Sequence, residues 1–131
     1  MPFGTATVIT RLGFAIIADR IKNVPTVASP RWLEIGVGAT GAARTAAATD
    51  TALSSAVETR GEGSESQQTT THTGDTYRVV AVVTATAPRN VDEAGLFNAL
   101  AAGTMFMSAT FPVVALATND SLQMTCNTQI T

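Results

Sequence analysis

The stretch Ser121-Leu122-Gln123-Met124-Thr125-Cys126-Asn127-Thr128-Gln129-Ile130 sets Leu122, Met124, Cys126, Thr128 and Ile130 against polar neighbours in strict alternation. A period of two turns one set toward a core and the other toward water, which is the pattern of a half-buried β-strand. Just before it, Thr118-Asn119-Asp120-Ser121 is a run whose side chains bond their own backbone and favour a tight reversal. Further upstream, Met105, Met107, Ala109 and Phe111 alternate with Thr104, Phe106, Ser108 and Thr110. A second strand is expected there, stopped by Pro112, and a third over 113–116.

The longest strand candidate covers 75–87, with Tyr77, Val79, Ala81, Val83 and Ala85 on one face and Val80 and Val82 making the other partly apolar. Such a strand is central in its sheet or covered. Residues 31–35 read as a strand with Trp32 and Glu34 opposite Leu33 and Ile35, and residues 1–10 as a short edge strand or an N-terminal arm. Over 11–22, Phe14, Ile17, Ala18 and Ile21 recur at helical spacing opposite Asp19, Arg20 and Lys22, so a helix is predicted with that stripe on the core. Asp50 or Thr49 caps a predicted helical turn over 51–57. Residues 59–75 contain nothing apolar and read as a long polar loop, unless two edge strands extend into it. Many short strands separated by Pro, Gly and Asn turns, with one helix, predict a mainly-β antiparallel sandwich, jelly-roll-like, forming a single domain over 1–131.

Composition narrows the function. A chain of 131 residues that is 45% apolar supports one core and not two ordinary domains. Only 14% of residues are charged, and Ala and Thr are plentiful, so the core is thin and association with other subunits would bury more surface. The net charge is −2 and no block of Lys or Arg exists to neutralise phosphates, which argues against direct nucleic-acid binding. The apolar run 12–18 is broken by Asp19 and Arg20, far short of the roughly 20 residues of a membrane span. With no basic start or cleavage site there is no signal-peptide pattern, and synthesis in a cytoplasm is expected.

Gly36-Val37-Gly38-Ala39-Thr40-Gly41 is a G-x-G-x-x-G after a strand, with Glu58 near the distance of a ribose-binding acid. A dinucleotide fold needs repeated βαβ units, whereas the chain beyond Glu58 reads as loop and strands, so a backbone role is the better reading. Cys126 falls on the apolar face of the last strand and reads as a small buried hydrophobe. His72 has no second His or Cys nearby to share a metal. Ser54, Ser55, Ser64 and Ser66 lie in no nucleophile elbow. Adjacent Asp92 and Glu93 would point in opposite directions from an extended chain, against paired acid/base work, and read as turn and edge-strand charges. Gly95 is expected to serve a backbone geometry closed to other residues. No catalytic, cofactor or metal residue is predicted.

The run Asp92-Glu93-Ala94-Gly95-Leu96-Phe97, with Gly103-Thr104-Met105, Phe111-Pro112-Val113 and Asn119-Asp120-Ser121-Leu122, resembles the C-terminal signature of small structural proteins of tailed bacteriophages. In those, an "EAGLF" segment precedes a strand ending in a Phe-Pro-like pair and a "GDSL" turn opening the last strand; Asn119 stands at the turn glycine and also tolerates a left-handed conformation. Trp32 to Gly38, Ala48-Thr49-Asp50-Thr51-Ala52-Leu53 and Glu58 are similar to the family's N-terminal half. The resemblance implies a non-enzymatic virion protein, made in the host bacterium. Its implied role is a capsid cement or decoration protein on the outer surface, bound to the major capsid protein and self-associated as a dimer or trimer. The alternative it implies is a tail, baseplate or fibre module, with Trp32 or Tyr77 exposed to a host glycan.

Overall fold

A computed structural model of the chain describes residues 1, 6–39 and 44–131. Eight strands and one helix follow the order β1 (Ala6–Ile9), α1 (Arg11–Ile21), β2 (Trp32–Gly36), β3 (Ala56–Glu62), β4 (Ser64–Gln68), β5 (Thr76–Thr84), β6 (Arg89–Phe97), β7 (Met105–Leu116) and β8 (Ser121–Gln129). They build an antiparallel sandwich of a five-stranded sheet, β1-β7-β6-β2-β3, and a three-stranded sheet, β4-β5-β8. The ribbon formed by β6 and β7 continues into β5 and β8, so one long hairpin rolls from the first sheet into the second. Rolling a hairpin across two sheets is the jelly-roll device, divided here five and three.

The alternating stretch forms β8 as its pattern demands. Leu122, Met124, Cys126 and Thr128 are buried, and the preceding turn places Asn119 at φ 72. Asp120 holds that turn through the Ala117 amide, 2.8 Å from Oδ2. β5 is the central strand of its sheet, with Val79, Ala81 and Val83 in the core and Val82 exposed. Leu33, Ile35, Ala94, Leu96, Phe106 and Met124 complete the core between the sheets. Tyr77 meets the edge of Phe106 with ring centroids 6.5 Å apart.

Several expectations are corrected. Pro112 does not stop β7, which runs from Met105 to Leu116. It sits where three residues of β7 bulge opposite Asp92 and beyond the end of β1, so its missing N–H breaks no ladder. The polar segment 59–75 is not one loop but follows the alternative reading, with two edge strands extending into it. It holds the end of β3 and all of β4, which form a nearly continuous strand turning from one sheet to the other at Gly63, whose amide donates to the Arg31 carbonyl at 2.7 Å. No helical turn forms over 51–57; the chain bends and enters β3 at Ala56. Of the two readings of residues 1–10, the edge strand is the one found, over Ala6–Ile9 and paired with β7, while the Met1 ammonium donates to the Gln123 carbonyl of β8. Deleting 1–10 would therefore unfold structure and not merely remove an arm.

The helix forms where periodicity places it, capped by Thr10, whose hydroxyl accepts the Gly13 amide at 2.9 Å. Its buried face is not the predicted one. Gly13 and Ile16 face the core, whereas Phe14, Ala18 and Ile21 face outward. A Cβ at Gly13 would strike the Phe106 carbonyl oxygen, so the missing side chain lets the helix backbone lie directly on β7 and turns the apolar stripe away.

The true connection between β4 and β5 is short and tied by one carboxylate. Asp75 accepts the amides of Thr70, Thr71 and His72 at 2.8, 2.9 and 3.0 Å and the Gln129 amide nitrogen at 2.9 Å. Those bonds, the His72 amide foremost, hold its carboxyl well below the usual carboxylate range. Asp19 is held down likewise by Lys22 and by the Val27 and Thr26 amides, and Glu58 by Thr86 and Arg89. A folded-state pKa below the unfolded one contributes stability that is complete above the unfolded value and is lost as pH falls toward the folded one. The melting temperature is expected to fall steadily as pH drops below about 4. Asp75→Asn should melt lower at neutral pH and lose part of that acid slope; an unchanged slope would contradict the assignment.

Candidate functional site

Two places concentrate chemistry: a buried charge cluster on the outer face of the larger sheet, and the solvent face of α1. The cluster grows from β6, where Asp92 and Glu93 are buried at 3% and 0% exposure. β6 is a central strand, not a turn or edge. Residues 37–39 and 44–55 lie against its outer face, and the β7 bulge opposite Asp92 lets both neighbouring carboxylates reach their amides instead of diverging. Asp92 accepts the Ala39 amide at 3.0 Å, and Glu93 accepts the Ser55 amide at 3.0 Å and the Arg44 guanidinium at 2.7 Å.

The same guanidinium meets Asp50 at 2.7 Å and Ser108 of β7 at 3.0 Å, and Ser108 donates to Asp50 at 2.6 Å. Asp50 also accepts the Ala47 amide at 3.0 Å. Every group is hydrogen-bonded within the cluster, Ser108 is fully buried and no histidine adjoins it. Its chemistry is that of a clamp, holding the segment 44–55 against the sheet. Sequence reasoning missed Arg44, Asp50 and Ser108, which meet Glu93 only through the fold.

The glycine motif is absorbed by this arrangement. Gly36 ends β2 against the Glu93 side chain, the Val37 amide donates to the Ser55 carbonyl, and the Ala39 amide is taken by Asp92. A carboxylate therefore holds an amide that a phosphate would need, and the strand before the motif is antiparallel to both its neighbours. Thr40 and Gly41 lie outside the described residues. Glu58 pairs with Arg89 at 2.8 Å and accepts the Thr86 hydroxyl at 2.7 Å, so its carboxylate is already engaged.

Gly95 has an ordinary backbone, contrary to expectation; a Cβ there would crowd Phe97 and Met105 at 2.9 and 3.0 Å, so space is what it supplies. Trp32 packs beside Leu53, Phe97 and Met105, where the Arg60 guanidinium lies 3.6 Å from the Phe97 ring centre. Tyr77 is half-buried, its hydroxyl bonded to the Pro30 carbonyl at 3.0 Å and Glu65 at 2.8 Å; burial first, and Glu65 second, raise its pKa. Neither aromatic is a free glycan platform. His72 is exposed in the β4–β5 turn, and among the described residues no group of His, Cys, Asp and Glu could hold a metal. Among them, too, no helix is long and apolar enough to cross a membrane. Cys126 is buried, and burial pushes its thiol up to about 12. Its reaction with a thiol reagent at neutral pH is expected only after unfolding; rapid labelling of the native protein would contradict this.

The second place is the outward stripe of α1. Phe14 is 58% and Ile21 77% exposed, with Ile17 and Ala18 between them. Beside it runs a groove of about 320 Å³ lined by Ile16, Ile17, Tyr77 and Phe106, with Ile130, itself 65% exposed, on its far rim. Arg20 and Glu65 also border it. Burial tends to raise the Glu65 pKa, but hydrogen bonds from Ser29, Tyr77 and Arg31 outweigh it and hold the carboxyl below its ordinary value. Phe14, Ala18 and Ile21 thus leave an apolar strip along the helix in water, while Ile17 is half-buried against the core.

No known protein family, curated protein or solved structure matches the chain.

Proposed function

We propose that the chain is a non-enzymatic structural protein of a tailed bacteriophage virion, a cement protein that binds across major capsid subunits and stabilises the shell. The observation that carries the reading is the apolar strip of α1, whose Phe14, Ala18 and Ile21 a lone chain leaves in water while Ile17 is half-buried against the core. The motif resemblance supports it: the Asp92–Phe97 segment is the buried centre of the larger sheet and the Asn119–Asp120 turn opens β8. The resembling residues thus build the scaffold and leave the surface free to specialise. A cement protein acts by mass action, binding the assembled shell and not its free subunits. Self-association belongs to the same reading, because closed symmetric contacts suit a shell with rotation axes.

The test is to label phage particles, produced from a genome that encodes the chain, with an antibody against the exposed β4–β5 turn. Label over the head supports cement. Label confined to the tail overturns it in favour of a tail or fibre module, and particles lacking the chain overturn both.

A further inference from the structure

We infer that the outward face of α1, with the groove beside it, is a two-fold interface that takes a second copy of this chain. The inference rests on the reading of the chain as an assembly protein and names the partner of its apolar face. An isologous contact needs projection and recess side by side on one patch, since each copy offers the same surface to the other. This face has both. Phe14 and Ile21 project from the helix, and the groove of about 320 Å³ between α1 and Ile130 lies next to them.

The charges also suit self-pairing. A rim of one sign would repel its own image. Here Arg20 and Glu65 border the groove with opposite signs, and Lys22 is already joined to Asp19 at 2.6 Å. The area is of the right size. Phe14, Ile21 and Ile130 with the flanking Ile17 and Ala18 leave roughly 300–400 Å² of apolar surface, the apolar centre of an interface that buries about 800 Å² on each partner. Bordering charges and the polar end of the groove supply the rim.

Light scattering on the purified chain across the micromolar range tests this. The expected mass is twice the 13.5 kDa of one chain. Phe14→Glu and Ile21→Glu should each weaken the dimer at least about tenfold and, because both side chains already face water in the monomer, melt as the native chain does at concentrations where all are monomeric. A monomer throughout, a trimer, or a dimer that both variants leave intact would overturn the inference. If the chain is monomeric yet Phe14→Glu abolishes binding to capsid shells, the face belongs to the shell: the inference falls and the cement reading stands. If the dimer forms and Phe14→Glu breaks it while the native chain binds no shell, the cement reading falls and the interface stands.

Discussion

Arg44→Met is expected to destabilise the protein by about 3–5 kcal/mol, the cost of leaving buried charge without its counter-ion. Methionine keeps much of the apolar stem, so the loss isolates the guanidinium. Without it the fully buried Glu93 and the largely buried Asp50 face each other across Ser108 with no cation between them. The segment 44–55 would then loosen first, and the Ala47 and Ser55 amides, both donated to these carboxylates, would lose protection from hydrogen exchange before the sheet does. Adding Glu93→Gln to Arg44→Met should recover part of the loss, because residues in one network are not additive. Urea unfolding measures both. A loss under about 1 kcal/mol for Arg44→Met would mean the loop is held by something other than this clamp.

The second large effect is expected at Gly61. A Cβ there would run into the Val82 carbonyl oxygen, backbone belonging to the opposite sheet, so the strand cannot yield by a rotamer change. Gly61→Ala should cost more than about 3 kcal/mol, at the upper end of overpacking losses, by forcing the β3–β4 corner away from β5. Gly38→Ala is the internal control. Among the described residues nothing lies within 4 Å of a Cβ at Gly38, and there its φ of +91 is what opposes a side chain. Its cost should be about 1–2 kcal/mol, that of a left-handed backbone alone. Equal melting temperatures for the two variants would contradict the close approach of the sheets.

These two positions also mark where the sequence was hard to read. β5 and β8 were legible because one face of each meets the core and the other meets water, so side chains alternate. β3 carries Gly61 where other strands carry apolar side chains, Gly63 joins it to β4, and beyond Ala56 and Val57 the two strands are polar. Their order comes from backbone pairing and close approach, which leave no hydrophobic signature. β6 was obscured for the opposite reason. It is buried on both faces, but Asp92 and Glu93 interrupt the apolar run that such burial usually produces. The clamp was invisible because Arg44 and Glu93 are 49 residues apart in the chain. The helix was found by its period, while its orientation depended on Gly13, a residue that carries no hydrophobic weight and yet decides which side lies on β7.

That inversion on α1 supports the proposed role, since it leaves Phe14, Ala18 and Ile21 in water where a partner could cover them. The most direct test mixes the purified chain with undecorated capsid shells and counts bound copies after sedimentation. The account predicts saturable binding at a copy number proportional to the capsid subunits, with shells that then withstand more heat. Binding at a few copies per particle, or none, would contradict it.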